Sequence, residues 1–251
     1  MTSDLSVVRV KRNKWQTRDP GSSVKSNILY RDDCELLIIG GIDIVEGYKK
    51  CKKLVIDAGF KAEIEWQSMI DIDQLTESTF LREHAWVTLS SGMKEKVVRT
   101  IFQRFSQIFY NWKSAEVITK NEHLCREAAF AIFANNKKIE AILQTSRIVS
   151  AKGFEKVKKS IMENPEETLI EFPFIGPITY YHLAKNIGLH VAKPDRHLSR
   201  LVRELNVSSV QTLCSYIGER TGDIIPVVDI VLWRYATITE DFVIKFIQLS
   251  K

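Results

Sequence analysis

The sequence has little of what metal centres and covalent scaffolds are made from. Four cysteines stand far apart in 251 residues: Cys34, Cys51, Cys125 and Cys214. No CxxC pair, zinc-type Cys/His spacing or iron–sulfur spacing occurs, and the five histidines (His84, His123, His182, His190, His197) show no HExxH pattern. The composition argues against a transition-metal enzyme, with the cysteines reading as small buried hydrophobes of a reducing compartment. Six prolines and eleven glycines are too few for a collagen-like chain, and 27% charged with 10% aromatic residues does not suit disorder. Long apolar runs are missing too. The longest, about Leu36 to Ile42, falls far short of the roughly 20 residues of a membrane span, and the Met-Thr-Ser-Asp start has no secretory pattern. The expectation is a soluble cytoplasmic protein with no membrane partner and no metal.

Charge is present but uneven. Residues 1–31 hold seven basic side chains (Arg9, Lys11, Arg12, Lys14, Arg18, Lys25, Arg31) against Asp4 and Asp19, which accounts for the whole formal charge of +5. Such an arm suits contact with a polyanion, and it equally suits a solvated tail. Two further basic clusters follow. One comprises Arg147, Lys152, Lys156, Lys158 and Lys159; the other comprises Lys193, Arg196, Arg200 and Arg203 around Asp195 and His197. Between Glu63 and Glu83 the sign reverses, with six carboxylates and one Arg82.

Residues 1–45 read as an extension, with a turn at Asp19-Pro20-Gly21 and a short strand over Glu35 to Ile39. From Glu46 onward helical spacing takes over. Val97, Ile101, Phe105, Ile108 and Phe109 form one apolar stripe, Ile139, Ile142 and Leu143 another, and Phe154, Val157 and Ile161 a third. Ser90-Ser91-Gly92 breaks the run. The expectation is an all-α body over 46–251, built from nine or ten short helices.

The most informative stretch runs from Glu171 to Arg203. Phe172-Pro173-Phe174-Ile175-Gly176 is a tight turn, and Pro177 suits the first position of the next helix. A turn of this kind directs backbone N–H groups outward beside a helix N-terminus, where a phosphate binds without regard to base. The same residues also make an ordinary connection between two helices. On Phe172 to Tyr180, and on Lys193-Pro194-Asp195-Arg196-His197-Leu198-Ser199-Arg200 that follows, the chain resembles the helix-hairpin-helix DNA glycosylase superfamily. The family hairpin reads roughly Leu-Pro-Gly-Val-Gly-x-x-Thr-Ala; here Phe174 replaces the first glycine and Tyr180 the alanine. Weaker matches in the same order lie at Ala85 to Met93, Ile139 to Glu171 and Asp229 to Tyr235, so that the likeness covers about 46–240.

The resemblance implies a two-lobed helical fold with the active site between the lobes, and a monomer acting on double-stranded DNA that carries a damaged or modified base. It places Asp195 as the carboxylate that stabilises the cationic sugar and activates water as the base departs. By itself, Asp195 after Pro194 also reads as an N-cap. The lyase lysine of some members corresponds to Ile178, which has no nucleophile, so the implied enzyme is monofunctional and cofactor-free. Lys185 reads as a surface lysine.

Phe174, Gly176, Ile178, Thr179, Lys193, Arg196 and His197 are the implied DNA contacts, with Ser91, Gly92 and Met93 as the loop entering the stack. The implied base pocket comprises Trp86, Tyr180, Tyr181 and Trp233, each of which, taken singly, suits a core position better. Val87, near the position of a base-protonating Glu in adenine-excising members, argues against that specificity. A monovalent cation at the carbonyls of Phe172 and Phe174 is also implied. Two other readings stay open: a non-catalytic hairpin module that binds DNA, and a helical interaction protein with no nucleic-acid role.

Overall fold

The computed structural model describes residues 42–251, and those residues form fourteen α-helices with no strand among them. The basic arm at 1–31 and the strand expected over Glu35 to Ile39 lie outside the described residues. The protein is all-α over the described part. Helix α1 (Ile44–Val55) starts two residues before the expected boundary, because Asp43 caps it by accepting from Glu46 N–H at 3.0 Å and Ile44 is buried. A single π turn with Gly59 at φ 91° leads into α2 (Lys61–Met69).

Eight helices then follow in one block: α3 (Glu77–Ser90), α4 (Glu95–Ile108), α5 (Ala115–Lys120), α6 (Glu122–Ile132), α7 (Asn136–Lys152), α8 (Phe154–Glu163), α9 (Pro165–Ile170) and α10 (Pro177–Asn186). The last four are α11 (Arg196–Glu204), α12 (Val210–Thr221), α13 (Ile225–Ile238) and α14 (Phe242–Leu249). Helices outnumber the expected nine or ten because several breaks carry no glycine or proline. Tyr110, Asn111 and Trp112 all adopt positive φ between α4 and α5. Aromatic stacking holds that unfavourable turn, with Phe109 4.9 Å from Trp112 and 5.0 Å from Phe105.

Two separate apolar cores result. One is filled by α3 to α10, from Leu75 to Ile187; the other by α1 and α2 together with α11 to α14, including Tyr48, Cys51, Leu201, Val228, Val231 and Phe246. The chain crosses between the cores at 69–75 and again at 187–192. These crossovers touch at Gly188, whose φ is 100° and where a Cβ would stand 2.3 Å from Ile72 N. Only glycine satisfies both demands.

Charged side chains also span the junction. Glu63 of α2 accepts from Arg234 of α13 at 2.7 Å and from Arg99 of α4 at 3.2 Å, while Arg99 reaches Glu95. Gln67 of α2 donates to the Lys185 carbonyl of α10 at 3.2 Å. Part of the acidic segment Glu63 to Glu83 is thus consumed in holding the lobes together, rather than forming a free acidic face.

Candidate nucleic-acid interface and active site

The turn between α9 and α10 is locked from three sides. Phe172 is buried edge-on against Phe80, 5.1 Å away. The Pro173 carbonyl accepts from His84 Nε2 at 2.9 Å. Since a carbonyl can only accept, His84 carries its proton on Nε2, which leaves Nδ1 buried without a partner among the described residues. Burial pushes the His84 pKa down to about 4, so the ring is neutral near pH 7. Thr179 Oγ1 completes the lock by accepting from Gly176 N–H at 2.7 Å and donating to the Phe174 carbonyl at 3.1 Å.

This arrangement occupies some of the polar groups of the turn and leaves others. The Gly176 N–H and the Thr179 hydroxyl are bonded inside the turn. The N–H groups of Phe174, Ile178 and Thr179 remain without partners among the described residues, and these are the donors the hairpin offers. The carbonyls of Phe172 and Phe174 each accept a hydrogen bond already, from Ile175 N–H at 3.1 Å and from Thr179. Each keeps its second lone pair. Phe174 holds φ 67° and is 40% exposed, and Ile178 is exposed beside it.

The loop Ser91-Gly92-Met93 leaves the end of α3 with Gly92 at φ 68° and Met93 exposed. Lys138 ties this loop to the hairpin. Its ammonium donates to the Leu89 carbonyl at 2.7 Å and the Ser91 carbonyl at 2.6 Å, and lies 5.9 Å from both the Phe174 and Phe133 ring centres. Burial lowers the Lys138 pKa. Sequence reasoning missed this residue because Asn135-Asn136-Lys137-Lys138 looks like a solvated helix start. The stripe Val149, Thr145, Ile142, continued backward by four, lands on Lys138 and would have exposed it.

Of the four aromatics expected in the pocket, Trp86 and Trp233 pack against different cores but are linked across the junction through Arg99, Glu63 and Arg234. Trp86 packs edge-on against Phe102 at 5.0 Å in the first core, and Tyr180 lies edge-on to Tyr181 at 4.9 Å. Trp233 belongs to the second core, with the Arg234 guanidinium 4.6 Å from its ring centre. A groove of about 430 Å³ lies elsewhere, lined by Asn136, Lys137, Glu140, Ala141, Gln144, Pro173 and Phe174.

Asp195 stands at the start of α11 in extended conformation. One oxygen, Oδ1, accepts from His197 N–H and Leu198 N–H, each at 2.9 Å. The other oxygen accepts no hydrogen bond among the described residues, and the residue is half-buried. Both roles read from the sequence, cap and free carboxylate, coexist in this geometry.

Around Asp195 the structure collects charges from both lobes. Lys185 is no surface lysine: it is buried at the end of α10 and pairs with Asp229 Oδ1 of α13, itself 1% exposed. Asp229 Oδ2 accepts from Lys193 N–H at 2.7 Å. Burial and the Lys185 charge lower the Lys193 pKa against the pull of Asp195 and Asp229. His182 is driven well below its ordinary value by burial and then by Lys193 and Lys185, so it too is neutral near pH 7.

Arg196 is exposed and reaches His197, whose ring lies 5.9 Å from Phe242. Glu83 was not singled out from the sequence. It is buried, its pKa raised by burial against Arg82, and it accepts from Asn186 at 2.9 Å.

Cys51, Cys125 and Cys214 are free and buried. Among the described residues, no three His, Cys, Asp or Glu side chains converge as a metal ion would require, and no helix is long and apolar enough to cross a membrane. No protein-family model, curated protein or solved structure matches this chain.

Proposed function

We propose that the protein is a monofunctional DNA N-glycosylase, a DNA-associated intracellular enzyme that hydrolyses the bond between deoxyribose and a damaged or modified base in duplex DNA. The observation that carries the reading is the divided use of Asp195. One carboxylate oxygen is spent on the helix start, while the other has no hydrogen bond among the described residues and lies at the junction of two lobes, next to Lys193. As the base departs with the bonding electrons, positive charge grows on the sugar ring. A fixed anion there stabilises that charge, and removing such a group typically raises a barrier by about 3 kcal/mol. The same oxygen orients the water that completes the hydrolysis.

Strand binding falls to the hairpin. Its three unpaired N–H groups and the adjoining α10 N-terminus suit a backbone phosphate, and the basic residues Lys193 and Arg196 flank the carboxylate. Met93 and Phe174, held near one another through Lys138, are the apolar side chains available to support the stack when a nucleotide swings out. Ile178 provides no amine at the hairpin, which favours hydrolysis without strand cleavage.

The test is a panel of duplexes carrying uracil, hypoxanthine, an alkylated purine, an oxidised purine or a hypermodified pyrimidine, followed by alkali to reveal abasic sites. Release of one base class, abolished in Asp195→Asn with duplex affinity kept, supports the reading; five intact duplexes overturn it. A second reading, a non-catalytic DNA-binding hairpin module, is favoured by Phe174 in place of the hairpin glycine. It predicts salt-sensitive duplex binding with no abasic product.

A further inference from the structure

We infer that Asp229 is a positioning residue for Asp195, acting through the backbone of Lys193, with Lys185 as its counter-charge. This rests on the glycosylase reading of Asp195.

Asp229 uses both carboxylate oxygens. Oδ1 meets the Lys185 ammonium from the opposite lobe, and Oδ2 receives the Lys193 N–H at 2.7 Å. As a mere fastener between α10 and α13 the ion pair is a poor choice. Two buried charges lose most of their attraction to desolvation, and apolar residues of equal volume hold helices together at least as well. What an apolar pair cannot do is accept the Lys193 N–H.

That hydrogen bond lies two residues before Asp195. The Lys193 carbonyl accepts in turn from Asp195 N–H at 2.8 Å, closing a short turn around Pro194, whose ring fixes its own φ. A continuous path of hydrogen bonds therefore runs from Asp229 through Lys193 to the Asp195 backbone. The α11 cap holds the Asp195 carboxylate from the other side. Between these two restraints Oδ2 has a fixed direction, which an anion stabilising a short-lived cation requires. Lys185 holds Asp229 in place from a distance of 44 residues in sequence.

Two double variants separate positioning from fastening. Lys185→Gln/Asp229→Asn removes both charges but keeps an amide oxygen for the Lys193 N–H. Lys185→Met/Asp229→Leu removes the charges and the acceptor together. With the duplex that the unaltered protein turns over, the single-turnover rate of the polar pair is expected within about threefold of the unaltered protein. That of the apolar pair is expected to fall by roughly tenfold or more, with affinity for a duplex containing a tetrahydrofuran abasic analogue kept within about twofold in both. Equal rates in the two doubles overturn the inference. A tenfold loss in a folded polar pair overturns it as well, because charge and not the acceptor would then matter; this outcome is readable even if the apolar pair does not fold. If the unaltered protein releases no base from any duplex, the glycosylase reading fails and the inference with it, whereas release with equal doubles sinks the inference alone.

Discussion

The two ends of α10 show opposite uses of one helix. Its first turn, at Gly176 to Thr179, faces solvent, leaves backbone donors unpaired and follows Phe174 in a left-handed conformation that glycine would hold more cheaply. Its last turn, at Lys185 and Asn186, is buried, every charge there is matched, and Gly188 beyond it presses against the backbone of Asp71 and Ile72. Ten residues of helix, about 15 Å, separate them. Unsatisfied, strained groups at one end suit a ligand that completes them. Satisfied, buried groups at the other give the rigidity against which that ligand is placed.

The sharpest way to break this contrast is to unbalance the buried end. Asp229→Leu alone leaves the Lys185 ammonium buried without its partner and is expected to destabilise the fold by about 3–5 kcal/mol, read by urea unfolding. A loss under about 1 kcal/mol would mean that water reaches the site and that the end is not rigid.

Next in size is Asp195→Asn. Asparagine caps a helix as well as aspartate does, so stability should hold while the barrier to base release rises by about 3 kcal/mol. Unfolding and single-turnover assays on one preparation check both halves.

The third prediction concerns pH and the His84 lock under the hairpin. The folded pKa of about 4 lies below the ordinary 6.5, so the unfolded chain binds a proton the native ring refuses. His84 therefore contributes nothing adverse above pH 6.5, and stability falls as pH drops from 6.5 towards 4, by up to about 1.4 kcal/mol per pH unit. Unfolding midpoints at pH 7, 6 and 5 should converge for the protein and His84→Gln if this is right, with the variant losing less on acidification.

The smallest expected effect is at the hairpin tip. Phe174→Gly relieves about 1–2 kcal/mol of left-handed strain but adds unfolded-chain entropy worth about 0.5–1 kcal/mol. A net gain near 0.5 kcal/mol should accompany weaker binding to an abasic-analogue duplex. A stability loss instead would show that the ring packs as core.

Much of this was legible residue by residue where the signal is local. Asp195 after a proline read as a cap, Ser90-Ser91-Gly92 as a break and Pro177 as a helix start, and each of these depends on φ, ψ and the next three residues alone. Lys185 was misjudged because a lysine within Ala184-Lys185-Asn186 looks solvated until Asp229 arrives from the other lobe. That Trp86 and Trp233 pack against different cores is not legible from aromatic character, which carries no address. The left-handed turn at Tyr110 to Trp112 escaped notice because stacking on Phe109, rather than a glycine, makes it possible.

By itself the sequence determined that the protein is helical, where most helices start, and that a hairpin with a capping aspartate follows. These follow from periodicity and from caps, whose energies act over one turn of chain. Tertiary structure alone decided that, among the described residues, the middle stretch forms one core while the stretches before and after it share another. It also decided that Lys185 and Asp229 meet, and that Asp195 keeps one oxygen unspent. A buried charge is tolerable only when its partner is brought within a few ångströms, and that meeting depends on how whole helices pack rather than on any short stretch of sequence.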